Sequence, residues 1–133
     1  MSVRDLVGTF YRCLWNERDL AVAPTILHPD VRFRGSVGTA VQGREAVCRY
    51  VELVTTALRA YRCDVQTLVV EGEHAAAKVL FSGQHVGEFL GYAPTGARVE
   101  WIGSAFFTAR QDLRCRPPEG DRTPRPQLAC RPR

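Results

Sequence analysis

Residues 83–96 read GQHVGEFLGYAPTG, from Gly83 to Gly96. A histidine ends a run of alternating apolar residues, glycines follow at 87 and 91, and Pro94-Thr95-Gly96 closes the segment before the alternation resumes. Gly83, Gly87 and Gly91 offer backbone conformations closed to other residues, while Pro94 fixes its own φ and biases Ala93 toward an extended state. The segment reads as a shaped loop between two strands.

On both sides of it the apolar period is two. Ala75–His85 and Arg98–Thr108 read as strands, Asp64–Val70 as a third, and Glu71–His74 as the turn of the first hairpin. Lys78 should face water, which places Ala77, Val79, Phe81, Gly83 and His85 together on the opposite face. By the same parity Trp101, Gly103, Ala105 and Phe107 share a face and Glu100 takes the other.

Toward the N-terminus the period becomes 3.6. Gly43–Tyr61 predicts the longest helix, with Val47, Tyr50, Val51, Val54, Leu58 and Tyr61 as one apolar stripe. Val3–Asn16 predicts a first helix, with Ser2 and Asp5 placed as a capping box. A second, from Asp19 to Leu27, is interrupted at Pro24. His28-Pro29-Asp30 stops it, and Val31–Ser36 reads as a short strand. Helices first and an antiparallel sheet afterwards make an α+β domain in which the helices cover one sheet face.

The Gly83–Gly96 segment resembles the signature of the SnoaL-like polyketide cyclases and related ester cyclases. That resemblance implies a nuclear transport factor 2-like cone over residues 1–111, in which a curved sheet wraps the long helix around a cavity. It also implies binding of a small, largely apolar, polyketide-like carbonyl compound, with aldol-type ring closure or isomerisation by general acid/base catalysis. In such cyclases a glutamine and a histidine project from the strand after the Pro-Thr turn, and an aspartate on the last strand is the acid/base residue. Here those positions fall on Gly103, Ala105 and a segment near Glu119, so the acid/base set is not preserved. A non-catalytic binding or dimerisation module of the same fold is the alternative. The resemblance further implies a possible homodimer.

His85 is the candidate catalytic residue; the other reading of a lone histidine on an apolar face is a hydrogen-bonded structural group. Candidate ligand-binding residues are Tyr11, Trp15, Arg34, Tyr50, Phe81, Trp101 and Phe107. Trp101 and Phe107 would make an apolar, aromatic wall. Tyr11, Trp15 and Tyr50 line the pocket or belong to the core, and Arg34 or Arg32 either reaches the entrance or sits solvated at a strand edge. Other carboxylates offer little: Glu88 lies in the loop, and His28 with Asp30 reads as a turn before a dyad.

Hydrophobic residues are 45% of the chain and charged residues 24%, an ordinary balance for a globular domain. No apolar run approaches the ~20 residues of a membrane helix, and the start shows no secretory pattern, so a cytoplasmic location is expected. The net charge of +4 is concentrated beyond residue 111, where six arginines face three carboxylates, so the folded body is not expected to bind nucleic acid. Five cysteines without C-x-x-C spacing argue against a metal site, and no cofactor is expected. Five of the eight prolines lie in the last seventeen residues. Residues 112–133 are therefore expected to be a disordered Pro/Arg-rich tail, with the family's last strand replaced or truncated.

Overall fold

Ser2 opens the first helix as a reciprocal cap: its hydroxyl accepts from the Asp5 N–H (3.1 Å) and the Asp5 carboxylate accepts from the Ser2 N–H (3.2 Å). Hydrogen bonds to its carboxylate from the Ser2 side chain and the Ser2 backbone N–H hold the Asp5 carboxyl below its usual range. The computed structural model describes residues 2–34, 40–89, 91–111 and 126–130, with side chains described through residue 109. Helix α1 spans Val3–Thr9, and Phe10–Asn16 continues it as π-helical turns, marked by the Glu17 N–H bonding the Arg12 carbonyl at 3.0 Å. The expected Val3–Asn16 helix is thus wound in two ways. The adjacent pairs Phe10/Tyr11 and Leu14/Trp15 are all buried along this stretch.

Asp19 caps a 3₁₀ turn, Leu20–Val22, by accepting from the Ala21 N–H at 3.2 Å, and α2 (Ala23–Ile26) follows. Pro24 sits in the first turn of α2, where its missing N–H has no helical partner to lose, so it joins two short helices instead of kinking a longer one. Strand β1 (Arg32–Arg34) pairs antiparallel with β2 (Ala40–Gln42), a strand too short to leave a periodic signal in the sequence.

Helix α3 spans Arg44–Ala57 and buries Val47, Val51 and Val54. It ends four residues before the expected Tyr61. Leu58 and Tyr61 continue the helical spacing by coincidence, but they belong to β3 (Leu58–Glu71), and the last helical carbonyl, that of Ala57, accepts from both Val86 and Gly87 N–H groups at 3.0 Å. A tertiary capture of the helix end overrides the local pattern. β4 (His74–His85) and β5 (Arg98–Gln111) complete a meander, with Leu58 opposite His85 and Phe81 opposite Trp101. Bulges between Arg59 and Arg62 and between Val65 and Thr67 bend β3, with Ala60 at φ 54°.

The C-terminal expectation needs correction. Pro126–Cys130 forms β6, antiparallel to Phe107–Gln111, giving the order β3-β4-β5-β6. Proline is compatible with the first residue of an edge strand, where no ladder donor is required. β6 lies beside α1, α2 and β1, so a last strand is present and these five residues are not a disordered tail. Residues 112–125 and 131–133, including Glu119, lie outside the described residues.

One layer of helices covers one face of the four-stranded sheet. Ala75, Ala77, Val79, Phe81 and His85 of β4 are buried against them, and Lys78 is exposed, as the parity predicted. Gly83 and Gly87 serve close approach instead of unusual φ: a Cβ at Gly83 would meet Leu58 Cβ at 3.0 Å, and one at Gly87 would meet Ala57 Cα at 3.1 Å. Only Gly91 of the three has a positive φ, 80°.

Candidate functional site

The interior is built of aromatic rings supplied by six elements. Tyr61, Phe81 and Trp101 stack across three neighbouring strands, with centroids 6.3 Å apart for the first pair and 5.4 Å for the second. Trp15 meets Tyr61 at 5.5 Å, Tyr50 at 5.9 Å and Phe33 at 6.3 Å, while Phe10 contacts Tyr11, Phe33 and Phe107. Pairs of this kind each contribute about 0.5–1.5 kcal/mol beyond their buried area. Burial holds the Tyr50 and Tyr61 phenols above their usual range and pushes the Cys63 thiol up to about 12. These groups stay neutral at physiological pH, so the cluster offers faces and hydrogen bonds but no charge.

Sequence parity anticipated Phe81, Trp101 and Phe107 on this face, and helical spacing anticipated Tyr11, Trp15 and Tyr50. It missed Phe10 and Phe33 as site-forming rings and assigned Tyr61 to the wrong element. Arg32 and Arg34 flank the buried Phe33 on β1 and are themselves exposed. The π-helical end of the first helix is fixed by Asn16, which no sequence signal marked. Its Nδ2–H donates to the Cys63 carbonyl (2.9 Å) and its Oδ1 accepts from the Cys63 N–H (2.8 Å), so the side chain pairs with the β3 edge as another strand would.

His85 stands at the end of β4, 7% exposed. Its backbone is locked to the loop on both sides: His85 N–H donates to the Ala97 carbonyl at 2.9 Å and its carbonyl accepts from Gly96 N–H at 2.8 Å. Nδ1 lies 3.2 Å from Thr95 Oγ1, and Thr95 Oγ1 also accepts from Ala97 N–H at 3.3 Å. Among the described residues Nε2 is buried without a hydrogen-bond partner, and so is Nε1 of Trp15, itself only 3% exposed. Leaving such a group unpaired costs about 1–3 kcal/mol.

The wall formed by β5 differs from its neighbour. Val99, Trp101, Gly103 and Ala105 are half-buried, whereas the residues opposite them on β4 are buried, so this face is less covered along β5 than along β4. Gly103 lies opposite Val79 and Ala105 opposite Ala77, and neither carries a group that could move a proton. Glu100 faces outward and pairs with Arg98 at 3.2 Å. Glu88 is exposed. Asp30 donates its backbone N–H to His28 Nδ1 at 3.0 Å, a turn contact that does not use the carboxylate. A separate groove of about 290 Å³ lies between α2 and α3, lined by Leu20, Ala23, Pro24, Arg44 and Cys48 among others, and contains none of the candidate residues. Among the described residues no helix is long and apolar enough to cross a membrane, and no three His, Cys, Asp or Glu side chains are grouped to hold a metal ion.

Solved structures share this architecture. TsrD from Streptomyces laurentii is 28% identical, with a TM-score of 0.71 over 81% of this chain and 78% of that one. A proposed SnoaL-like polyketide cyclase from Jannaschia is 20% identical, with a TM-score of 0.75 over 96% of this chain and 80% of that one. IdmH, a proposed polyketide cyclase from Streptomyces antibioticus, is 20% identical, with a TM-score of 0.71 over 97% and 88%. The latter two likenesses establish the α+β, nuclear transport factor 2-like fold. None of the curated proteins matches the chain in sequence. The profile of SnoaL-like polyketide cyclases matches residues 5–112, from the first helix to the end of β5, and the chain belongs to that family.

Proposed function

We propose that this chain binds a small, largely apolar carbonyl compound of the polyketide kind against its aromatic interior, with His85 as the group that engages the carbonyl. The observation that carries the reading is the buried, unpaired Nε2 of His85 at the end of an apolar strand face. Tyr11, Trp15, Tyr50, Phe81, Trp101 and Phe107 supply flat apolar contact, which suits a fused or extended unsaturated ligand. The chemistry such a site supports is enolisation: a hydrogen bond to the carbonyl oxygen stabilises charge as the α proton leaves, the first step of an aldol closure or an isomerisation. Gly103 and Ala105 add nothing to that step; His85 supplies the hydrogen bond that stabilises the enolate oxygen, and the α proton passes to solvent water or buffer base.

The test uses 2-acetylnaphthalene, an enolisable aryl ketone, in deuterated buffer. Saturable quenching of tryptophan fluorescence is expected, together with deuterium uptake at the methyl carbon that is lost in His85→Ala. Absence of saturable binding overturns the reading. Binding without uptake identifies a non-catalytic binding module of the same fold. A second reading, a homodimer joined through the outer sheet face, is favoured by the exposure there of Val69 (59%), Ile102 (57%) and Phe106 (45%).

A further inference from the structure

We infer that Thr95 is a positioning residue that holds neutral His85 with its proton on Nε2, so that the imidazole presents a donor, not an acceptor, to the interior. The inference rests on the ligand-binding reading for its consequence but not for its geometry. Among the described residues Thr95 Oγ1 has two hydrogen-bond neighbours: Ala97 N–H, from which it accepts at 3.3 Å, and His85 Nδ1 at 3.2 Å. A hydroxyl carries one proton and accepts through lone pairs. With the Ala97 amide donating to the oxygen, the Thr95 O–H is polarised and directed at Nδ1, giving the chain Ala97 N–H to Thr95 O–H to His85 Nδ1. The opposite arrangement makes one oxygen accept from two N–H groups while its own proton turns away to solvent. An Nδ1 that accepts leaves the proton of the neutral ring on Nε2, the atom that is buried and unpaired.

The consequence is a choice of ligand chemistry. A buried N–H donor selects a compound that offers an acceptor at that point, a ketone or other carbonyl oxygen. A compound presenting only a hydroxyl proton or an N–H there leaves both sides unsatisfied. In this form His85 polarises a carbonyl and does not abstract a proton. The turn that carries Thr95 owes its place to the Gly96 N–H bond to the His85 carbonyl and to Gln84 Nε2, which donates to the Gly96 carbonyl at 3.1 Å. The Pro-Thr-Gly turn is therefore part of the site, although Thr95 itself is exposed.

The tautomer is read directly in the ligand-free, full-length chain by long-range proton–nitrogen correlation in ¹⁵N-labelled protein, at a pH above the ordinary imidazole range. His85 is distinguished from His28 and His74 by its loss in His85→Gln. Wild type and Thr95→Ser should both show the Nε2–H form as dominant. Thr95→Val should shift the ratio about fivefold toward Nδ1–H, the change that loss of one hydrogen bond of ordinary strength produces. A dominant Nδ1–H form in wild type overturns the inference, as does a Thr95→Val ratio equal to that of wild type. Should Thr95→Val fail to fold, wild type and Thr95→Ser alone decide between the two tautomers. Since no ligand is present, this result is separate from the 2-acetylnaphthalene titration, and either reading can fall without the other.

Discussion

Asn16 shows how much one side chain can organise. β3 is the first strand of the sheet, so its outer edge has no ladder, and at Cys63 the Asn16 amide fills that place with one donor and one acceptor. The same contact fastens the π-helical turn that carries Tyr11 and Trp15 to the bulged strand that carries Tyr61. Asn16→Ala removes both bonds and should cost about 1–3 kcal/mol in urea unfolding. Asn16→Asp keeps the acceptor, loses the donor and sets a carboxylate against the Cys63 carbonyl, so it should be at least as destabilising near neutral pH. An Asn16→Ala protein as stable as wild type would show that solvent satisfies the edge equally well. His85 and Trp15 are the complementary case, since each holds a buried nitrogen without a partner among the described residues.

At the level of elements, the junction between α3, β3 and the end of β4 decides where His85 stands. Ala57 gives its carbonyl to the loop, Leu58 pairs with His85, and the backbone at 83 and 87 passes within contact of Leu58 and Ala57. Leu58 is fully buried and cannot retreat from an added methyl. Gly83→Ala should therefore lose about 1–3 kcal/mol through overpacking. Gly8, in α1, has nothing within 4 Å of an added Cβ, and Gly8→Ala should gain about 0.5–1 kcal/mol from the reduced entropy of the unfolded chain. The pair is measured together by chemical denaturation, and the same sign for both would refute the close-packing account. The signature glycines were legible as a motif before the structure. That two of them serve proximity and one serves φ was not, because a sequence carries no record of what passes nearby.

For the molecule as a whole, the sheet has one covered face and one face turned outward. On the outer side Val69, Ala76 and Phe106 lie across one row and Leu80 and Ile102 along the next, with Lys78 opposite Ser104 between them. If a second copy covers this face, sedimentation equilibrium should give twice the chain mass, and Ile102→Glu should return it to one without disturbing the interior. A monomeric wild type would set the dimer aside and leave the ligand-binding reading intact. The acidic side of stability has a local contributor as well: the capping bonds depress the Asp5 carboxyl, so its contribution is present above the unfolded-state value and is lost as pH falls through the folded one.

The sequence by itself determined the order of elements, the parity of β4 and β5, and the family, because alternation, helical spacing and a glycine-punctuated loop are local properties written along the chain. From parity alone His85, Phe81, Trp101 and Phe107 could be set on one face. The tertiary structure alone decided that the long helix stops at Ala57, that the first helix continues from Phe10 as π-helical turns, and that Pro126–Cys130 adds a last strand. It alone also brought Thr95 to His85 and Asn16 to Cys63. Each of these outcomes depends on a hydrogen-bond partner distant in sequence, or on the space left by a neighbouring element, and local propensity does not encode either.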